Sequence, residues 1–204
     1  MFKITEHYYS KKPNVKEVLR SWESEMSGKK FIFTTSPGVF SKNEVDFGSR
    51  LLVDVFEKPD IEGDILDLGC GYGPIGLSIA RDYPEVVVKM IDINERAVKL
   101  ARLNAEQNNV ENVVIQQGDG FEGLSEADKY AVIITNPPIR VGKEFIYQLF
   151  EQSKSYLKEK GELWIVIQKK QGAPSAQKFL EEHFKEVTIE GRKKGYFIIR
   201  ATNH

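Results

Sequence analysis

Ile65-Leu66-Asp67-Leu68-Gly69-Cys70-Gly71-Tyr72-Gly73 passes from an apolar strand into a glycine-rich turn, and residues 75–81 continue as an apolar helix. Strand, glycine turn and helix in that order open an α/β sheet, which receives ligands at the carboxyl ends of its strands. Glycine lets the backbone turn sharply and lets a ligand approach without meeting a Cβ atom. The dinucleotide pattern G-x-G-x-x-G fails, because Gly69 and Gly71 put Pro74 in the third glycine position. That departure argues against a nicotinamide oxidoreductase. The pattern present is acidic-x-Gly-x-Gly-x-Gly, with Asp67 placed to orient the loop and to reach a ligand ammonium through water.

Outward from this stretch, strands and helices alternate. Strands are expected at residues 86–91, 113–115, 130–135 and 163–167, with helices at 95–107 and 143–157. The strands are continuously apolar, which fits a parallel sheet covered on both faces. Residues 186–190 and 196–200 flank Gly191-Arg192-Lys193-Lys194-Gly195 as a hairpin. The fold is therefore α/β, a doubly wound, mostly parallel sheet that ends in an antiparallel hairpin strand. Upstream, residues 30–35 read as a strand, Ser36-Pro37-Gly38 as a type II turn and residues 51–56 as a helix ended by Pro59. Lys11-Lys12-Pro13 reads as a loop or flexible arm. Residues 1–60 are expected to form an extension, a hairpin plus a helix, packed on a main domain of residues 61–204 in one compact unit.

The 204 residues are 41% hydrophobic, enough for one globular domain with a sizeable core. A net charge of −1 excludes a wholly basic nucleic-acid-binding protein. Basic residues are nonetheless clustered at Lys29-Lys30, Lys169-Lys170 and Arg192-Lys193-Lys194. From Gly161 to His204 there are eight Lys/Arg against five Asp/Glu, and clusters that converge on one side of a fold can hold phosphates. Cys70 is the only cysteine, which excludes an intrachain disulfide framework and suits a reducing cytoplasm. No apolar run approaches the ~18 residues of a membrane span, and the amino terminus lacks the regions of a signal peptide.

Acidic residues end successive strands. Asp92 lies about 20 residues beyond the glycine turn, where an acid holds ribose hydroxyls. Asp119, in Gly118-Asp119-Gly120-Phe121, suits an adenine amino group, with Phe121 beside the ring. Cys70 packs in the loop rather than acting as a nucleophile. Asn136-Pro137-Pro138-Ile139 follows the apolar run Ala131-Val132-Ile133-Ile134. Two prolines remove two backbone donors and fix φ, so this strand end offers acceptors and suits an amino group. The lone pair of an exocyclic amine is delocalised into its ring. Acceptance of its N–H bonds by the Asn136 side-chain oxygen and the Pro137 carbonyl lets the nitrogen rehybridise and aim that pair, with stabilisation of the positive charge that develops.

The glycine loop, Asp92, Asp119, the Asn-Pro-Pro turn and the terminal hairpin resemble class I S-adenosylmethionine-dependent methyltransferases. More narrowly, Gly38-Val39-Phe40-Ser41, Asp46-Phe47-Gly48-Ser49 and Asn136-Pro137-Pro138 resemble the small-subunit ribosomal RNA guanine-N2 methyltransferase C family, over roughly residues 30–200. The resemblance implies a Rossmann-like seven-stranded sheet and methyl transfer from S-adenosylmethionine, with S-adenosylhomocysteine as product, to a guanine N2 amine of 16S ribosomal RNA. It implies cofactor contacts from Asp67, Gly69, Cys70, Gly71 and Gly73, from Asp92 and Ile93, from Asp119, Gly120 and Phe121, and from Phe40 and Asn136. Asn136, Pro137, Pro138 and Ile139 would form the reacting centre. Ile139 stands where related nitrogen methyltransferases carry an aromatic, so base stacking falls to Phe40 or Phe33. Arg140, Lys143, Lys169 and Lys170, with Lys42 and Arg50, are candidates for RNA phosphates. The expected partner is ribosomal RNA or the 30S subunit, with no membrane and no metal, for a cytoplasmic monomer or homodimer. Two alternatives stand beside this: a methyltransferase for protein glutamine side chains, which also uses Asn-Pro-Pro, and a non-catalytic cofactor-binding module for ribonucleoprotein assembly.

Overall fold

The computed structural model describes residues 18–39, 44–137 and 142–204. The expected arm at Lys11-Lys12-Pro13, along with Phe40, Lys42, Pro138, Ile139 and Arg140, lies outside them. The described chain begins with a separate hairpin, β1 (Arg20–Met26) and β2 (Lys29–Thr35), followed by α1 (Phe47–Val55). Next come β3 (Ile65–Leu68), α2 (Pro74–Asp82), β4 (Val88–Asp92), α3 (Glu95–Gln107), β5 (Val113–Gln117), β6 (Tyr130–Thr135), α4 (Lys143–Tyr156) and β7 (Leu157–Gln168). The chain finishes with α5 (Ala173–His183) and the hairpin of β8 (Glu186–Lys193) and β9 (Tyr196–Thr202). The main sheet has seven strands in the order β5-β4-β3-β6-β7-β9-β8, parallel except for β9. This is the doubly wound α/β fold expected from the sequence.

Alternate strand residues face opposite sides of the sheet, and two separate cores follow from that. Ile65, Val132, Ile134 and Trp164 pack with α1, α2 and α3 on one face, while Leu66, Leu68, Ile133 and Leu163 pack with α4 and α5 on the other. Asp67 is the polar exception in a fully buried strand and lies on the α2 side of it. The strand order reverses between β3 and β6: β4 and β5 extend the sheet one way, β6 and β7 the other. The crevice at their carboxyl ends is where such a sheet binds ligands.

The amino-terminal hairpin attaches to α3 through side chains rather than through the main sheet. Asn104 accepts from Thr34 N at 2.7 Å and donates to Thr34 O at 3.0 Å; Asn108 does the same for Ile32, at 2.8 Å in both directions. Residues two apart in a strand span about 6.7 Å, close to the ~6 Å of four helical residues. Two asparagines one turn apart therefore present amides at nearly the spacing of a neighbouring strand. Asn104 also donates to Tyr72 O at 2.8 Å, which joins the hairpin to the glycine loop.

Several elements differ from expectation. Helix α1 begins at Phe47 rather than at residue 51, and β7 begins at Leu157 rather than at residue 163. Helix α5 is not read from the sequence, although Gly172-Ala173-Pro174 begins it with proline in the first turn and Ala173, Ala176 and Leu180 form its buried stripe. The terminal hairpin turns at Lys194-Gly195, both with positive φ (48° and 79°), rather than over Gly191–Gly195. That two-residue turn matches the twist of paired strands, so β8 and β9 are longer than the alternating apolar residues suggest. Among the described residues no helix is long and apolar enough to cross a membrane.

Replacement of Asn104 by alanine would leave Thr34 N, Thr34 O and Tyr72 O without their buried partner. We expect a loss of about 3 kcal/mol in urea unfolding, and a loss below about 1 kcal/mol would refute the ladder's role.

Candidate active site

The turn after β3 is held from β4. Gly69 N and Cys70 N donate to Ile91 O at 2.8 and 3.0 Å, and Gly71 N donates to Asp92 Oδ2 at 2.8 Å. Gly69 and Gly71 have φ of 72° and 58°, and a Cβ built on either would meet no atom within 4 Å. The backbone there is an open cradle toward the crevice, fitted to a ligand that lies directly on it. Cys70 and Tyr72 point into the core instead. Burial pushes the Cys70 thiol well above its ordinary pKa, with the Asp92 and Asp67 charges adding to it, so the group is inert as a nucleophile.

Asp67 and Asp92 divide their tasks differently from the sequence expectation. Asp67 Oδ2 accepts from Gly76 N at 2.9 Å, so it secures the first turn of α2 rather than the glycine loop. A Cβ on Gly76 would stand 2.8 Å from that oxygen. Gly76 thus permits the close helix–strand approach for which the dinucleotide pattern uses its third glycine. Burial raises the Asp67 pKa to about 7, opposed by the Gly76 N–H and reinforced by the Asp92 charge. Asp92 is the residue that orients the loop. Its other oxygen accepts from Asn94 N at 2.8 Å, and burial raises its pKa against these two backbone donors. Asn94 caps α3 and donates to Gly38 O at 2.9 Å, while Arg96 donates to Pro37 O. The segment after β2 is therefore clasped over the acidic end of β4.

Asn136 follows β6 and is half-buried beside this turn. The Thr135 hydroxyl donates to Leu68 O at 2.9 Å, which ties the end of β6 to the end of β3. Asn136 Nδ2 donates to Ser49 Oγ at 3.1 Å and to the two Asp46 oxygens at 3.4 and 3.5 Å. Asp46 caps α1 by accepting from Ser49 N, and its other oxygen accepts from the Ser49 hydroxyl. Pro137 is buried behind it.

Asp119 is exposed and Gly120 has φ of 57° with open space around it. They form one wall of a cavity of about 730 Å³ that is also lined by Phe121, Phe145, Gln152 and Tyr156. Among the described residues, none of the glycine loop lines this cavity. Phe121 stacks on Tyr156 at 4.5 Å, so its ring serves the second core and is already covered on one face. Ile93 is half-buried, and its carbonyl accepts from Gln117 Nε2 at 3.0 Å.

Phe33 is not a base-stacking residue. It is fully buried, stacked on Phe31 at 5.4 Å and edge-on to Tyr72 at 5.7 Å, because its strand face is the one that packs on α3. Two of the three basic clusters converge. Lys169 and Lys170 follow β7, and Lys169 N donates to Gly195 O at 2.7 Å at the tip of the β8–β9 hairpin, beside Arg192, Lys193 and Lys194. All five side chains are exposed at the sheet edge that carries Asn136. Lys194 lies over the Phe47 ring at 4.7 Å, at the start of α1. Lys29 instead pairs with Asp82 at 2.6 Å, at the far end of α2 and so at the opposite sheet edge. Lys143 is exposed over the Tyr147 ring at 5.0 Å.

A doubly wound sheet with an antiparallel last hairpin and an acidic-x-Gly-x-Gly-x-Gly loop at its switch point defines a class I methyltransferase fold. The chain belongs to the methyltransferase small domain family, whose model matches residues 30–200. It is 58% identical over 198 residues to the uncharacterized protein YbxB of Bacillus subtilis (strain 168), covering 97% of this chain and 98% of that protein. It is 38% identical over 152 residues to the ribosomal RNA small subunit methyltransferase C of Pasteurella multocida (strain Pm70), covering 72% of this chain and 44% of the relative. Among solved structures, the T. thermophilus 16S rRNA N2 G1207 methyltransferase in complex with AdoMet and guanosine superposes with a TM-score of 0.81 at 25% identity, over 94% of this chain and 52% of that one. The chain thus spans about half the length of these methyltransferase C relatives.

The raised Asp67 pKa has a consequence for stability. Between its ordinary value of 3.8 and about 7, the folded state keeps a proton that the unfolded state has released. The contribution of this group is fully present below pH 3.8 and is lost as pH rises through about 7. We expect the urea midpoint of the unliganded protein to fall relative to that of Asp67→Asn across this window. A difference independent of pH would refute the assignment.

Proposed function

We propose that the protein is an S-adenosylmethionine-dependent methyltransferase that modifies the exocyclic N2 amine of a guanine in small-subunit ribosomal RNA. The observation that carries this is Asn136, an amide set beside the open glycine cradle at the point where the strand order reverses. The residues present fit the cofactor. Gly69 and Gly71 leave room for its backbone-facing part, the Asp92 carboxylate keeps lone pairs for ribose hydroxyls, and Asp119 with Gly120 offers the adenine end. When bound, S-adenosylmethionine supplies an electrophilic methyl group on a sulfonium. The protein's task is then to orient the amine and to accept its N–H bonds.

In this role Asn136 Oδ1 and the Pro137 carbonyl accept from the target nitrogen, draw its lone pair out of conjugation and aim it at the methyl group. The proton leaves to solvent after transfer, and no activated nucleophile is needed. A guanine presented to such a site must be unstacked. The joined platform of Lys169, Lys170, Arg192, Lys193 and Lys194 supports RNA over protein, since it sets phosphate-binding charge on the edge that carries the amide. The activity of the T. thermophilus relative, a 16S rRNA N2 G1207 methyltransferase, supports guanine N2 as the acceptor.

Incubation with tritiated cofactor and, in parallel, 30S subunits, naked 16S RNA and cell protein tests this, with the label mapped. Label on a guanine N2 amine is expected; label confined to protein would overturn the RNA substrate. Asn136→Ala should lower transfer by about 100-fold or more while cofactor affinity stays within about threefold. Asp92→Ala should weaken calorimetric cofactor binding by about tenfold or more, and unchanged binding would remove the ribose assignment.

A further inference from the structure

We propose that Asp46 and Ser49 are positioning residues that decide which end of the Asn136 amide faces the substrate. The proposal rests on the reading that Asn136 accepts an amine, and extends it to the two side chains that make acceptance possible. An asparagine amide has an oxygen end and an NH2 end of almost equal size, so shape alone does not choose between them. At Asn136 the choice is electrostatic. An ionised carboxylate only accepts hydrogen bonds. The Ser49 hydroxyl spends its one proton on Asp46 Oδ2, which leaves Ser49 Oγ as an acceptor toward Asn136. Each described partner on this side of the amide is an acceptor, so the NH2 end turns inward. Oδ1 faces the other way and has no hydrogen-bond partner among the described residues.

A flipped amide would place two N–H donors against the N–H donors of an incoming amine, and the nitrogen would be repelled rather than gripped. The flip is opposed because it would set the amide oxygen against the Asp46 carboxylate. The support is itself rigid. Asp46 caps α1, and Gly48 holds that helix end so close to Tyr196 and Val166 that an added Cβ would stand 2.7 and 2.9 Å from them. The motif Asp46-Phe47-Gly48-Ser49 thus has one task per residue along a single turn. Asp46 and Ser49 set the amide, Gly48 admits the β9 side chain, and Phe47 sits under Lys194.

Asp46→Asn isolates this role. Asparagine caps helices about as well as aspartate, so the fold should be retained. Its NH2 group, however, can donate to Ser49 Oγ, free the serine proton to point at Asn136 and thereby favour the flipped amide. We expect Asp46→Asn and Ser49→Ala to lower kcat for transfer to 30S subunits by about 10- to 100-fold. The cofactor Kd, the RNA KM and the thermal midpoint of Asp46→Asn should stay near wild type. An unchanged kcat in Asp46→Asn, or a fall shared equally by kcat and cofactor affinity, would overturn the proposal. The side-chain NH2 resonance of Asn136, assigned by its loss in Asn136→Asp, gives a readout that needs no substrate. It should be shifted in the wild type and move toward the position of solvated asparagines in Ser49→Ala. A resonance already at the solvated position in the wild type would overturn the fixed amide whatever the substrate proves to be. Wild-type protein that transfers no label to any RNA would overturn the proposed function and leave this resonance to decide the orientation.

Discussion

The parallel pairing of β3 with β6 is the constraint on which the site depends. Ile65–Leu68 lie against Val132–Thr135, and the hydroxyl of Thr135 closes the register by donating to the carbonyl of Leu68. This sets the glycine turn and Asn136 side by side, although they are more than sixty residues apart in the chain. A slip of one residue would turn Asp67 onto the α4 face and Leu66 into α2, exchanging a satisfied carboxyl for an apolar side chain against Gly76 N. The register is therefore held by the same burial that forms the two cores.

Around this pair, polar side chains replace backbone pairing wherever the chain leaves the sheet. Asn104 and Asn108 serve as a neighbouring strand for β2, Asn94 joins the cap of α3 to the turn after that strand, and Asp46 joins the cap of α1 to Asn136. Each of these groups satisfies an otherwise orphaned backbone donor while it also fixes a distant segment. The arrangement couples the amino-terminal hairpin to the glycine loop through Asn104 and Tyr72 O. In a buried setting such bonds are costly to leave unmade, so the hairpin and the site share one scaffold.

Elements whose signal is local were legible in the sequence. β3, β6 and α3 have the bounds that their apolar runs and flanking residues suggest, since a continuous apolar strand or a 3.6-residue stripe is written in neighbouring positions. Helix α5 is not legible in the sequence because its stripe is thin, two alanines and a leucine, and proline near its start reads as a loop. Phe33 reads as available for stacking because an aromatic in a hairpin strand has two faces, and only packing into the first core, against Phe31 and Tyr72, buries this one. The division of labour between Asp67 and Asp92 was likewise hidden. Both acids end strands, and only the depth of burial and the nearest N–H groups separate them.

By itself the sequence determined the class of fold and the chemistry on offer: continuous apolar strands, a glycine turn at the first strand end, acids after it and an amide followed by prolines. These follow from periodicity and residue type, which act over a few neighbours. Only the tertiary structure decided how the offered groups face one another. It turned the Asn136 amide by setting an acceptor-only carboxylate from α1 beside it, brought Lys169-Lys170 to the tip of Arg192-Lys193-Lys194, and sent Lys29 to the opposite edge. Hydrogen-bond direction and charge convergence depend on contacts between residues far apart in the chain, and sequence spacing carries no information about them until the sheet register is set.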